Sequence, residues 1–420
     1  MATDTPLAVA VVARAAAPLH GAGGLERSVG DLVRQLAARS VNVTLITPPP
    51  TNVVPSPSDP FASPHIRVRH VPYLTFPFAN RRGTTVLDRS TAYLLYGERA
   101  GRLAGELASS GEVHVVHGFG ASVLGYARRK RPRPAPLVFN PQGLEEFGAT
   151  LESPPLLKHA GYAPLRWAVR RCARDADCII ATDAALESTV QRHLHPAPGQ
   201  MRTIPNAIDL AQATSLAGPP EGAILRQRLG IGADELVLLS VGRLEYNKGF
   251  DVLAAALQQL AAEGGALHGL AWRWVLVGAG PFRPAIEQAI DRAGIGAHVR
   301  LVGAAPDAEL HAWYEAATIF VHPTRYEGSS LVTLEAMAHR RPVIATRAGG
   351  LPDKIRPGHN GWLVEPGDVR ALADALEDAV SSAARLNTFG AASRQLVERE
   401  FAWSVLVDRQ IEMYRELTGT

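Results

Sequence analysis

The chain has 420 residues, 46% hydrophobic and 20% charged, with 43 Lys and Arg set against 40 Asp and Glu for a formal net charge of +3. That hydrophobic content excludes a disordered chain, and the length exceeds one core, implying two or three domains of roughly 100–200 residues. No helix-turn-helix pattern and no interleaving of aromatic with basic residues accompanies its charge, so a nucleic-acid partner is not expected.

In chain order, short apolar runs alternate with longer amphipathic stretches, the pattern of βαβ units and parallel sheets. Strands are expected at Leu7–Ala13, Val41–Thr47, Ile66–Val71, Val113–His117, Leu137–Asn140, Cys178–Thr182 and Met201–Ile204. Helices are expected between them, among others at Glu26–Arg39, Thr91–Ala108 and Leu165–Asp175. Near Asn206–Asp234 this pattern breaks into a stretch containing Gly, Ala and Pro, read as a linker over 207–234. A second series then starts, with strands at Leu236–Val241, Trp272–Val277, Val299–Val302, Thr318–His322, Val343–Thr346 and Trp362–Val364. Phe401–Leu417 reads as one last helix. The expectation is an α/β chain of two doubly wound domains, 1–206 and 235–400. A helix over 401–420 packs back toward the N-terminal domain. Ligands of such sheets bind outside the carboxyl ends of the strands, so two facing sheets would place the site in the cleft between them.

Two cysteines, Cys172 and Cys178, make no disulfide framework and fit a reducing compartment. The start, Met1-Ala-Thr-Asp-Thr-Pro6, lacks the basic region of a signal peptide, and no apolar run reaches the ~18–20 residues of a membrane span. A cytoplasmic protein is expected. Basic residues cluster at Arg128–Arg133, and Arg166, Arg170, Arg171 and Arg174 fall at helical spacing. Together with the aromatic segment 71–78 and Arg81-Arg82, they suggest weak peripheral contact with anionic lipid, or else a solvated surface or acceptor loop.

The segment with the most chemistry is Tyr326-Glu327-Gly328-Ser329-Ser330-Leu331-Val332-Thr333-Leu334-Glu335. A strand ends at His322, Pro323 breaks it, Gly328 allows a tight turn, and an apolar helix begins near Ser329. The first amides of that helix and the positive end of its dipole suit a diphosphate. Glu327 and Glu335 suit sugar or ribose hydroxyls, since an ionised carboxylate accepts from two vicinal hydroxyls. Glycosidase carboxyls stand about 5–9.5 Å apart, whereas eight residues of helix rise ~12 Å, which disfavours a hydrolytic pair.

With Glu327 and Glu335 as its Glu-x7-Glu element, the chain resembles glycosyltransferase family 4, the retaining GT-B glycosyltransferases. The resemblance extends to Gly242–Phe250 (a G-R-x4-K-G element), Leu276–Pro281, Gly349–Asp353, Asn360–Val364 and, in the first half, Gly23-Gly24-Leu25-Glu26-Arg27. It covers nearly the whole chain. It implies two Rossmann-like domains facing each other across a cleft, the N-terminal one for the acceptor and the C-terminal one for a nucleotide-sugar donor. It implies no cofactor and no metal. Arg243 and Lys248 would neutralise the donor diphosphate, Glu327 would hold the transferred sugar and Glu335 the ribose. The Ser330 and Leu331 amides would cap a phosphate, with Gly23 and Gly24 approaching from the other domain. His117 would lie by the reacting face of the sugar.

Some positions depart from the family pattern. Asp353 stands where Glu is usual, Ala207 where Gly is usual, Gln142 where His is common, and Ser329-Ser330 replaces a bulkier pair. Arg340 occupies a customary Gly, so positive φ is expected to be avoided there. Asp175-Ala176-Asp177 matches the metal motif of the other large glycosyltransferase fold, but it lies at a helix end and reads as a solvated boundary. Gly278-x-Gly280 lacks the third glycine of a dinucleotide fingerprint. An epimerase or phosphorylase on the same fold, or a non-catalytic sugar-nucleotide-binding protein, remain the alternatives.

Overall fold

The computed structural model describes residues 6–21, 23–50, 61–75, 85–148 and 160–419. The chain forms two compact units, Met1–Pro205 with Leu406–Thr420, and Asn206–Val405.

The first unit is built on a parallel sheet of seven strands: β1 Ala8–Val12, β2 Asn42–Thr47, β3 Ile66–His70, β4 Val115–Phe119, β5 Leu137–Asn140, β6 Cys178–Ala181 and β7 Met201–Thr203. Their spatial order is β3-β2-β1-β4-β5-β6-β7, so the direction of winding reverses between β1 and β4. All of β1, β4, β5 and β6 is buried, which is why these strands read as continuous apolar runs rather than alternating ones. Helix Ala92–Ser109 brings Gly97 and Gly101 against the backbone of Ala121 and of Gly125-Tyr126, an approach that leaves no room for a Cβ. The last helix, Trp403–Thr418, lies in this unit from Leu406 onward. There Tyr414 reaches His117, Met413 Sδ lies 3.6 Å from Cys178 Sγ, and Asp408 pairs with Arg39 at 3.0 Å.

The second unit has six parallel strands: β8 Leu236–Val241, β9 Trp272–Val277, β10 Val299–Gly303, β11 Ile319–His322, β12 Val343–Thr346 and β13 Gly361–Val364. The order β10-β9-β8-β11-β12-β13 places the reversal between β8 and β11. Apolar side chains cover both faces, with Trp313, Tyr314, Met337 and Leu396 in one layer and Phe250, Leu257, Trp274 and Leu376 in the other.

Two expectations are corrected here. The stretch 207–234 is not a bare linker: it carries helices Leu210–Leu216 and Pro219–Arg228. Asp209 caps the first, and the Glu221 carboxylate accepts the Gly218 N–H at 2.8 Å to open the second. Gly222 then packs on Glu315 and Ala316, and the Arg226 guanidinium donates to the carbonyls of Ala316, Gly232, Ala233 and Glu235. Gly218, Pro219 and Pro220 open the second helix rather than break the chain.

Arg340 does take positive φ, 57°. It ends helix Leu331–Ala338 in a Schellman turn, with Arg340 N donating to Met337 O and Arg341 N to Ala336 O, each at 3.0 Å. The hydrogen-bonding demand of the helix end outweighs the cost of a Cβ in the left-handed region. Arg340→Gly should therefore stabilise the protein by about 1 kcal/mol, read as a rise of roughly 2–4 °C in Tm; an unchanged or lower Tm counts against a strained cap.

Among the described residues, no helix is long and apolar enough to cross a membrane. Within the aromatic segment 71–78, residues 76–78 and also Arg81-Arg82 lie outside the described residues. The four arginines of the basic run are engaged by the protein itself. Arg128 pairs with Glu98 at 3.2 Å, Arg129 donates to Ser109 Oγ at 3.0 Å, and Arg131 and Arg133 meet Asp177 at 3.3 and 2.8 Å. Asp175 in turn pairs with Arg171 at 2.7 Å, so both carboxylates of the Asp-x-Asp motif are held by arginines.

Candidate active site of the second unit

At a reversal of strand order the loops on either side diverge and leave a crevice at the carboxyl ends. In the second unit those loops follow β8 and β11. The first runs from Gly242 to Gly249 and enters helix Phe250–Ala261; the second runs from Pro323 to Ser330 and enters helix Leu331–Ala338. Gly249 adopts φ 67°, and its Cα sits against the Pro323 carbonyl where any Cβ would collide. Arg325 N donates to Asn247 O at 2.7 Å and Thr324 Oγ1 to the same carbonyl at 2.8 Å. The Arg325 guanidinium forks onto both Asp251 oxygens at 2.7 Å and covers the Tyr246 ring, 4.2 Å from its centroid. The two loops are thereby one rigid body.

Glu327 stands at the centre. Its Oε2 accepts from Lys248 Nζ at 2.8 Å and from His322 Nε2 at 2.6 Å, and Oε1 accepts from Gly328 N at 3.1 Å. Lys248 and Glu327 are each mostly buried, and His322 is wholly so. Burial alone would push the Glu327 carboxyl up, but the Lys248 charge and the His322 hydrogen bond together outweigh it and hold the carboxyl well below the usual range. Burial lowers the His322 pKa against the pull of Glu327, and its Nδ1 has no hydrogen-bond partner among the described residues. A neutral imidazole donating through Nε2–H satisfies both facts.

Behind this cluster the loop is fastened on three sides. Gly349, at φ 51°, lies against the Glu327 carbonyl with no space for a Cβ. Gly350 N donates to Gly328 O at 3.1 Å, and Asn206 Nδ2 to Ser329 O at 3.3 Å. Ser330 is the N-cap of helix Leu331–Ala338: its Oγ accepts from Thr333 N at 3.4 Å and Thr333 Oγ1 at 3.0 Å. The first amides of a helix have no acceptor within it, so Leu331 and the residue after it present N–H groups beside Glu327.

The other expected residues fall as follows. Arg243 follows β8 but does not join Lys248; its side chain is 75% exposed and pairs with Glu245 at 3.0 Å. Glu335 is buried and accepts from Tyr314 OH at 2.7 Å, apart from the contacts of Glu327. Gly23 and Gly24 belong to the first unit, where Gly23 caps and Gly24 begins helix Gly24–Ala38 after β1. The reading that β4 ends at His117 is corrected, because the strand runs on to Phe119. His117 is therefore interior. Its Nδ1 bonds Tyr414 OH at 2.6 Å, its Nε2 is buried without a partner among the described residues, and burial lowers its pKa to about 3. That imidazole is neutral and exposes neither nitrogen.

Sequence reasoning missed His322, the Arg325–Asp251 fork and Lys354, whose Nζ donates to Ser329 Oγ at 3.2 Å, beside this site. His322 carried a signal, a polar residue closing an apolar strand five residues before Glu327. The other two carried none, because their partners are set by the adjacency of β8 and β11 and by the turn after β12.

Comparison with known proteins agrees with this architecture. Residues 22–212 match the family described as Glycosyltransferase Family 4, and residues 235–382 match Glycosyl transferases group 1. The D-inositol 3-phosphate glycosyltransferase 1 of Catenulispora acidiphila is 31% identical over 411 residues, 94% of this chain and 91% of that protein. The D-inositol 3-phosphate glycosyltransferase of Streptomyces scabiei is 28% identical over 441 residues, 97% of this chain and 91% of that one. Among solved structures, sucrose-phosphate synthase from Thermosynechococcus elongatus superposes with a TM-score of 0.75 at 26% identity, covering 98% of this chain and 99% of that one. The chain belongs to glycosyltransferase family 4 and is a glycosyltransferase of the two-domain GT-B fold.

Proposed function

We propose that this glycosyltransferase moves a sugar from a nucleoside diphosphate onto an acceptor hydroxyl with retention of anomeric configuration and without a metal ion. The observation that carries the reading is the Lys248–Glu327–His322 cluster beside the open end of helix Leu331–Ala338, at the strand-order reversal of the second unit. As the bond between the anomeric carbon and the phosphate oxygen breaks, negative charge grows on the diphosphate. Lys248, the first helix amides and, by a swing of its exposed side chain, Arg243 supply fixed positive charge there, which makes a cation dispensable. Glu327, held ionised, accepts hydroxyls of the transferred sugar and orients its ring. The acceptor oxygen bonds to the anomeric carbon on the face the phosphate leaves, and its proton passes to the departing phosphate oxygen. Glu335 contacts the ribose on this reading, once its bond to Tyr314 is shared or exchanged.

The test is turnover with UDP-, GDP-, ADP- and TDP-sugars, with inositol phosphates among the acceptors because the relatives' names point to that class. Product formation should survive excess EDTA, and NMR should show the donor's anomeric configuration in the product. Activity lost to EDTA and restored by Mg²⁺ or Mn²⁺ overturns the metal-free mechanism, and an inverted product overturns retention.

A further inference from the structure

Lys354 lies just past the Gly349–Asp353 turn with its side chain entirely enclosed. Lysine is almost never fully buried, and an apolar side chain of similar length would occupy such a place without the cost of dehydrating an ammonium. Here Nζ donates to Ser329 Oγ at 3.2 Å and to Gly350 O at 3.1 Å, and it lies 5.7 Å from the centroid of the Phe401 ring. A serine hydroxyl has two lone pairs and one hydrogen. Lys354 takes a lone pair, so the Ser329 hydrogen is left to donate to another group. Ser329 is only partly buried, and it directly precedes the N-cap Ser330. A hydroxyl that accepts from an ammonium is also a stronger donor, because hydrogen bonds in series polarise one another.

We propose that Ser329 and Lys354 form a further part of the diphosphate seat: the Ser329 hydroxyl donates to a phosphate oxygen of the sugar donor, and Lys354 is the positioning residue that aims and polarises it. This rests on the nucleoside diphosphate reading above. It explains why a lysine is buried behind this loop.

Titration calorimetry separates the two ideas. The probes are inorganic pyrophosphate, the nucleoside diphosphate among UDP, GDP and ADP that binds tightest, and its nucleoside. Ser329→Ala should weaken both diphosphate probes by roughly tenfold, the scale of one hydrogen bond to a charged group, and leave the nucleoside within about twofold. Lys354→Met should do the same, and the double variant should be no worse than the weaker single one, since one residue acts through the other. Should Lys354→Met fail to fold, Lys354→Gln takes its place, keeping an N–H donor without the charge. Wild-type diphosphate affinity in Ser329→Ala, an equal loss for the nucleoside, or additive effects overturn the inference. Lys248→Ala is the control. If it weakens pyrophosphate while Ser329→Ala does not, only this inference falls; if it leaves pyrophosphate binding intact, the donor-site reading falls too.

Discussion

Replacing Lys248 by Ala should lower kcat by about 10²–10³-fold, the scale seen when one preorganised donor is taken from a developing anion. Lys248 is held in place before any ligand arrives, because Gly249 locks its loop onto Pro323 and Glu327 fixes its Nζ at 2.8 Å. The ammonium therefore needs no reorganisation as charge builds on the leaving diphosphate. Interactions that strengthen toward the transition state appear in kcat, whereas equal binding of ground and transition states appears in KM. The variant also deprives Glu327 of a cationic partner, so Lys248→Arg, which keeps the charge, should recover part of the rate. Steady-state kinetics on protein shown to be folded by circular dichroism is the measurement. Wild-type kcat and KM in Lys248→Ala would remove the diphosphate from this place.

Glu327→Gln should reduce kcat/KM by about 10²-fold or more, since two sugar hydroxyls lose a charged acceptor and each such bond is worth roughly 1.5–3 kcal/mol. The amide keeps the shape but cannot accept from Lys248, His322 and the sugar together. The pH dependence gives a second reading. Lys248 and His322 depress the folded-state pKa of Glu327. Its stabilising contribution is then fully present above the unfolded value of about 4.3 and is lost only as pH falls through the depressed folded value. Between pH 5 and 8 the kcat/KM profile should hence show no acid limb from Glu327. A limb in that window that vanishes in Glu327→Gln would mean that the carboxyl titrates there, and the Lys248 charge and the His322 hydrogen bond would not be acting as described.

The sequence by itself determined the two βαβ series and most strand limits. Strands buried on both faces must be runs of apolar residues, and such runs are local: Leu236–Val241 and Val343–Thr346 lie where the runs lie. It also determined which segments carry the chemistry, because a strand end, a glycine turn and a helix start must be contiguous to make an anion seat. Only the tertiary structure decided which side chains meet. Lys248 and Glu327 are 79 residues apart and touch because β8 lies beside β11, an adjacency with no trace in either segment's periodicity. His117 looked like a strand-end residue, but two further residues of β4 and a tyrosine 297 positions away enclose it. Arg340 looked unable to take positive φ until the helix end required its N–H and that of Arg341 for two closing hydrogen bonds. The basic run 128–133 looked like a free surface charge, yet Glu98 and Asp177 from other elements pair with Arg128, Arg131 and Arg133. Periodicity and capping are written within a few residues, whereas a charge's partner is fixed by which elements the sheet order makes neighbours.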